Sequence, residues 1–172
     1  MRRGLMWTAA GMAILAATYG GTVLATPASG FTGTTLAVGR FGEIDIANHM
    51  VAALPDSPGK RVWLSLQKTK GESDVYVQSN VWIPGGSTGW HTHPGHSLII
   101  VTAATVTAYD GDDPSCAPVT YTTGMGFVDP GADHVHLLRN EGAVDARTIA
   151  VQLIPAGATR RIDAPASPAC SF

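Results

Sequence analysis

An all-β sandwich or barrel is the fold class this sequence predicts, and three observations predict it. Only 14% of the residues are charged, while Gly numbers 20 and Pro 11. That composition suits short strands joined by turns and excludes a coiled coil or a charged disordered chain. Runs rich in Val, Ile, Thr and Tyr recur between Gly, Pro and Asp turns, and no long segment keeps a helical period. At 172 residues the chain makes one domain able to bury a real core, without internal repeats or a dividing linker. Eleven basic against 13 acidic residues give a formal charge of −2, which leaves no electrostatic footprint for nucleic acid.

The elements follow in order. Met1-Arg2-Arg3 leads into an uncharged, largely apolar stretch from Gly4 to Ala25, closed by the small residues of Val23-Leu24-Ala25. This is the layout of a signal peptide over residues 1–25, with cleavage after Ala28 as the alternative, followed by a single domain over 26–172. An uncleaved anchor is the competing reading, opposed by the Gly and Thr that dilute the stretch. Export leaves a secreted, mildly acidic chain with no stable membrane span. The two cysteines, Cys116 and Cys170, then read as one disulfide, against the alternative of two buried thiols.

Strands are expected at Thr35 to Arg40, Arg61 to Thr69, Val75 to Ile83, Gly89 to His93, Ser97 to Tyr109, Val119 to Thr122, Gly126 to Val128, His134 to Arg139 and Arg147 to Leu153. Ile44 to Leu54 reads as one short helix closed by Pro55 and Pro58. Gln78 to Asn80 reads as a polar kink, and Pro84-Gly85-Gly86 as a turn. Leu98-Ile99-Ile100-Val101 is apolar at every position, as in a central strand between two layers. Asp110-Gly111-Asp112-Asp113-Pro114 lacks the later Glu of a calcium loop and reads as a solvated turn.

Of the six histidines, His49 stands alone, His91, His93 and His96 form one cluster, and His134 and His136 form a second. Residues i and i+2 of a strand share a face, so each His-x-His pair projects two imidazoles together. Two such pairs facing one interior suit a transition metal, for which neutral imidazole is the commonest ligand. His96 follows Pro94-Gly95 with the opposite parity and belongs at the barrel mouth.

Gly85, five residues, then His91-Thr92-His93 resembles the opening of the first cupin motif. That motif's Glu place falls at Ser97 and its closing Gly place at Ala104. Of the second motif, Gly124 precedes Pro130 at the expected spacing, and so does His136 before Asn140. The loop between them aligns through Pro130 or through His136, not both. The segment Val75 to Leu153 is similar to secreted bacterial cupin domains. The resemblance implies a cupin-type double-stranded β-helix, a jelly-roll barrel, binding one divalent metal through His91, His93 and His136. With Ser97 in the carboxylate's place the site loses a charge, which favours zinc, iron, copper or nickel over harder ions. His134 shares a face with His136 and would make a fourth ligand, its alternative being a surface or supporting role. A cupin that has lost its metal and uses only its cavity is the competing reading of the whole site.

Other residues offer less. Trp82, Trp90 and Tyr109 read as core, Arg139 as a rim partner of Asp129 or Asp133, and Arg160-Arg161 as a solvated tail. No nucleophile elbow, phosphate loop or dinucleotide glycine pattern is present. The sequence therefore predicts an exported metal-binding domain acting on, or capturing, a small polar molecule. The alternative is a non-enzymatic binding or storage module. The resemblance also implies pairing of two copies as a homodimer.

Overall fold

A computed structural model describes residues 25–51 and 62–172. The expected signal segment ahead of Ala25, together with Arg61 and the end of the expected helix at Leu54, lies outside the described residues. The strands are β1 (Ser29–Phe41), β2 (Asp45–Val51), β3 (Val62–Lys68), β4 (Ser73–Ser87), β5 (His91–Thr92), β6 (Ser97–Ala103), β7 (Thr105–Asp110), β8 (Val119–Thr122), β9 (Gly126–Asp129), β10 (His136–Arg139), β11 (Ala146–Pro155) and β12 (Ile162–Asp163). Among the described residues none is helical. The all-β expectation holds.

Every pairing is antiparallel. One layer runs β1-β4-β11-β6-β9 and the other β12-β5-β10-β7-β8. They join where Ser87, at the end of β4, pairs with Arg139 of β10. Between the layers Trp82, Val106, Leu138 and Ala146 form a buried cluster against which Phe31 and Phe127 pack. The arrangement is a jelly-roll barrel in which strands such as β6 and β11 turn alternate residues inward.

Several local expectations are corrected. The described part of the expected Ile44 to Leu54 helix is a strand: Asp45 to Val51 pair residue by residue with Lys68 to Val62. A ladder with β-branched side chains overrides the short helical pattern. Gln78 to Asn80 do not kink β4, which pairs continuously with β11 there; the one irregularity in this stretch is an extra residue, Leu36, on the β1 side opposite Gln78 and Val77. Their polarity reflects the barrel interior that Gln78 and Asn80 line. Pro84-Gly85-Gly86 bends β4 without ending it. Gly85 takes φ +77°, and a Cβ on Gly86 would lie 2.3 Å from the Gly30 carbonyl oxygen, so only glycine permits the bend.

The single strand expected over Ser97 to Tyr109 is two strands, broken at Ala104 with φ 57°. Its first half is not packed on both faces. Ile99 and Val101 are buried, whereas Leu98 and Ile100 are 53% and 54% exposed, because a barrel has only one interior. The turn after β7 is self-capped, as expected of a solvated turn. Asp113 accepts hydrogen bonds from Ser115 N, Ser115 Oγ and Ala117 N, and these hold its carboxyl below the usual range.

The C-terminal segment is stapled into a second buried cluster of Trp90, Tyr109, Leu137, Ala164 and Cys170. Trp82, Trp90 and Tyr109 are thus core, as expected. Cys116 and Cys170 form the expected disulfide across a sequence separation of 54. A loop of that size constrains the unfolded chain by about 4 kcal/mol. Cys170→Ser should therefore lose about 4 kcal/mol in denaturant unfolding, and reduced wild type should match it. A variant as stable as the oxidised protein would show that the link contributes nothing through the unfolded state.

Candidate metal centre

Three of the histidines read from the sequence meet inside the barrel. His136, the first residue of β10, pairs directly with His91 of β5, and His93 follows β5 by one residue. One ring nitrogen from each of His91, His93 and His136 lies within 4.8 Å of the others. Ring centroids are 4.4 Å apart for His91 and His136 and 4.8 Å for His91 and His93. Of the two alignments of the second motif, the one through His136 is the one that reaches this cluster. The motif's Asn140 is fully buried. Its Nδ2 donates to Trp82 O and Val144 O, and its Oδ1 accepts from Gly142 N, so it ties β10 to β4 and to the turn before β11.

Backbone carbonyls set the rings. His91 Nδ1 lies 2.9 Å from Gly89 O, and His93 Nδ1 lies 2.6 Å from Arg160 O. A carbonyl only accepts, so each Nδ1 carries a proton, and the nitrogen left on each ring for a metal is Nε2. Burial pushes the His91 pKa down to about 2, helped by the positive potential of His136, Arg161 and His93. Burial likewise lowers His136 to about 4, with Asp129 pulling the other way. Both rings are therefore neutral near neutral pH, the form in which imidazole can ligate a metal.

His134 stands apart from that triad. It precedes β10, stacks on His136 at 5.6 Å, and sets Nε2 3.4 Å from Asp110 Oδ2. It belongs instead to a second group with Asp129 and His136. His96 and His49 join neither group among the described residues.

Asp129 is the site residue that sequence reasoning missed. It was weighed only as a rim partner of Arg139, yet it is 4% exposed and faces three histidines. Arg139 stacks on Phe172 instead, at 4.3 Å. Arg160 and Arg161 are likewise not a solvated tail. Both are half-buried and line the cavity. Arg160 donates to Gln152, Gln78 and Thr35 and lies over the Tyr76 ring. Arg161 reaches Asp163 and Thr88 O. Only a basic dipeptide near the C-terminus signalled them, and their inward direction depends on β12 pairing with β5.

The cavity holds about 250 Å³ and is walled by the three histidines, Asp129, Ser97, Gln78, Asn80, Gln152 and the two arginines. A second, of about 430 Å³, opens on the far side of Asp129 and His136 and reaches Tyr109, Asp110 and His134.

No family model and no curated protein matches the chain. Similar solved structures include a cupin domain from Bordetella pertussis Tohama I, with 16% identity over 65% of this chain and 93% of that one, TM-score 0.41. Another is a cupin superfamily protein from Desulfitobacterium hafniense DCB-2, with 12% identity over 70% and 81%, TM-score 0.41. A third is the polyketide cyclase RemF from Streptomyces resistomycificus, with 17% identity over 55% of this chain and only 65% of the cyclase, TM-score 0.44. Two antiparallel layers joined through β4 carry Gly85 and His91-Thr92-His93 at the first motif's spacing, so this chain has the cupin-type jelly-roll fold.

Proposed function

We propose that the chain is an exported member of the cupin superfamily that holds one divalent transition metal on His91, His93 and His136 and takes up a small polar anion beside it. The observation that carries this reading is the donor set. The buried His91 ring and the half-buried His93 ring have Nδ1 occupied by backbone carbonyls, which leaves Nε2 of each for the shared cavity. A core gains nothing from burying such rings together unless something binds them. The residues fit zinc, iron, copper or nickel. When bound, such an ion supplies a Lewis acid and open coordination positions for a small ligand or dioxygen.

The chain's own residues choose the ligand. Arg160 donates to neutral Gln152, Gln78 and Thr35 and, among the described residues, pairs with no carboxylate, and burial lowers its pKa. An anion with a planar carboxylate would relieve that charge. Gln78, Asn80 and Thr148 continue the polar wall through Gln78 Nε2 donating to Asn80 Oδ1 and Asn80 Nδ2 donating to Thr148 Oγ1. A cavity of about 250 Å³ admits only a small molecule.

A non-enzymatic binding or storage module is the second reading, favoured by Ser97 standing where the motif Glu would serve as a base. Turnover under air by the iron- or copper-loaded protein separates the two.

His91→Ala and His136→Ala should each abolish stoichiometric metal in elemental analysis, while His49→Ala keeps it. Retained metal in the first two would remove the triad. Arg160→Gln should weaken uptake of a small carboxylate by about tenfold, the loss of one charge-assisted contact, without changing metal content. An unchanged affinity in a carboxylate titration would free Arg160 from that role.

Export rests on the signal layout of residues 1–25 and agrees with the disulfide. Pairing with a second copy is supported by the β2–β3 ribbon, which exposes Ile46, Trp63, Leu64 and Leu66. An isolated two-stranded ribbon is marginal without a surface to cover it. Native mass spectrometry of exported protein should show a dimer of chains lacking about 25 residues. Full-length monomers would sink both readings.

A further inference from the structure

We infer that Asp129 supplies the carboxylate that the first motif has lost, so that the centre is a three-histidine, one-carboxylate site with the acid delivered from the neighbouring strand. The inference rests on the metal reading above and specifies its fourth ligand.

The register carries the argument. Ser97, in the Glu place on β6, pairs directly with Asp129 on β9. Both are buried, at 3% and 4% exposure, and both wall the cavity that holds the triad. Paired residues on antiparallel strands point to the same side, so position 129 reaches the space that a side chain at 97 would fill.

Asp129 is also poised for a cation. Its Oδ1 accepts a hydrogen bond from Gly131 N at 2.9 Å. Its Oδ2 is buried without any hydrogen-bond partner and lies 3.5 Å from His93 Nε2, the nitrogen that the Arg160 carbonyl leaves free. On the other side Oδ1 is 3.6 Å from His136 Nδ1. Among the described residues no Lys or Arg forms a salt bridge with Asp129. Its ion-pair neighbours are His93, His134 and His136. A buried carboxylate oxygen without a donor is costly, and a metal shared with His93 and His136 satisfies it.

The loop after β9 is built to fix this carboxylate. A Cβ on Gly131, which has φ +68°, would lie 2.2 Å from the Gly95 carbonyl oxygen, so the two loops pass in backbone contact. Ala132 N donates to His93 O, and Thr92 Oγ1 donates to Ala132 O. The strand end carrying His93 and the loop orienting Asp129 are therefore one unit.

Manganese(II) and zinc(II) titrations test the assignment. Asp129→Asn preserves volume and the acceptor for Gly131 but removes the charge. Manganese affinity should fall by about 100-fold or more and zinc affinity by less, because the harder ion depends more on carboxylate oxygen. Ser97→Glu combined with Asp129→Ala moves the acid to the adjacent strand and should restore the manganese affinity. Cobalt(II) visible bands should shift in Asp129→Asn.

A folded Asp129→Asn protein with wild-type manganese affinity and unchanged cobalt bands overturns the inference. So does a double variant that keeps the near-ultraviolet signal of its buried tryptophans but stays weak, since Asp129 would then only orient His93. Wild type that binds neither ion removes the metal reading itself, and this inference with it.

Discussion

One strand has to serve two sheets, and the rest of the molecule depends on it. β4 pairs with β1 and β11 for most of its length and then, past Gly85 and Gly86, hands Ser87 to Arg139 of β10. Gly85 N donates to Asn140 O and Asn140 N to Gly86 O, so the bend itself holds the C-terminal end of β10. Closure of the barrel at that point brings His136 opposite His91. His91 and His136 thus face each other on adjacent strands of one layer, and the bend in β4 fixes the far end of β10.

The interior then has to satisfy polar groups that a small core would otherwise reject. Backbone carbonyls of Gly89 and Arg160 take the Nδ1 protons, and Gln78, Asn80, Thr148, Gln152 and Arg160 form a connected polar wall. Apolar packing gathers in two clusters, around Trp82, which also walls the histidine cavity, and around Trp90 beside the disulfide.

Legibility in the sequence follows the range of the interaction. Strand runs such as Val119 to Thr122 were read with their full bounds, because alternation and turn residues are local signals. The histidine pairs were legible for the same reason. Three things were not. The Ile44 to Leu54 helix failed because only the partner strand β3 reveals the ladder. The β-strand of Leu98 to Val101 was read as buried on both faces because composition carries no information about which side of a barrel is solvent. Asp129 was missed because its meaning lies in register: nothing local ties Ser97 to a residue on β9.

If Asp129 is the acid of the site, as proposed above, a motif can lose a residue without the site losing its chemistry. A Glu on β6 and an Asp on β9 differ by one methylene, and neighbouring antiparallel strands differ by about 5 Å at the Cα. A side chain of either length can therefore place an oxygen in the same cavity, provided that its strand is anchored. Here the anchor is the backbone contact of Gly131 with Gly95 and the hydrogen bond from Ala132 to His93. Moving the acid to β9 also couples it to His134 and to the second cavity through the Asp129 side chain. The original position on β6 would place the charge next to the first cavity alone, whereas Asp129 borders both. On the proposed assignment, a carboxylate at position 129 would keep the donor set and also face Asp110 and Tyr109 across the second cavity, a side of the barrel that a strand-β6 ligand would leave unconnected.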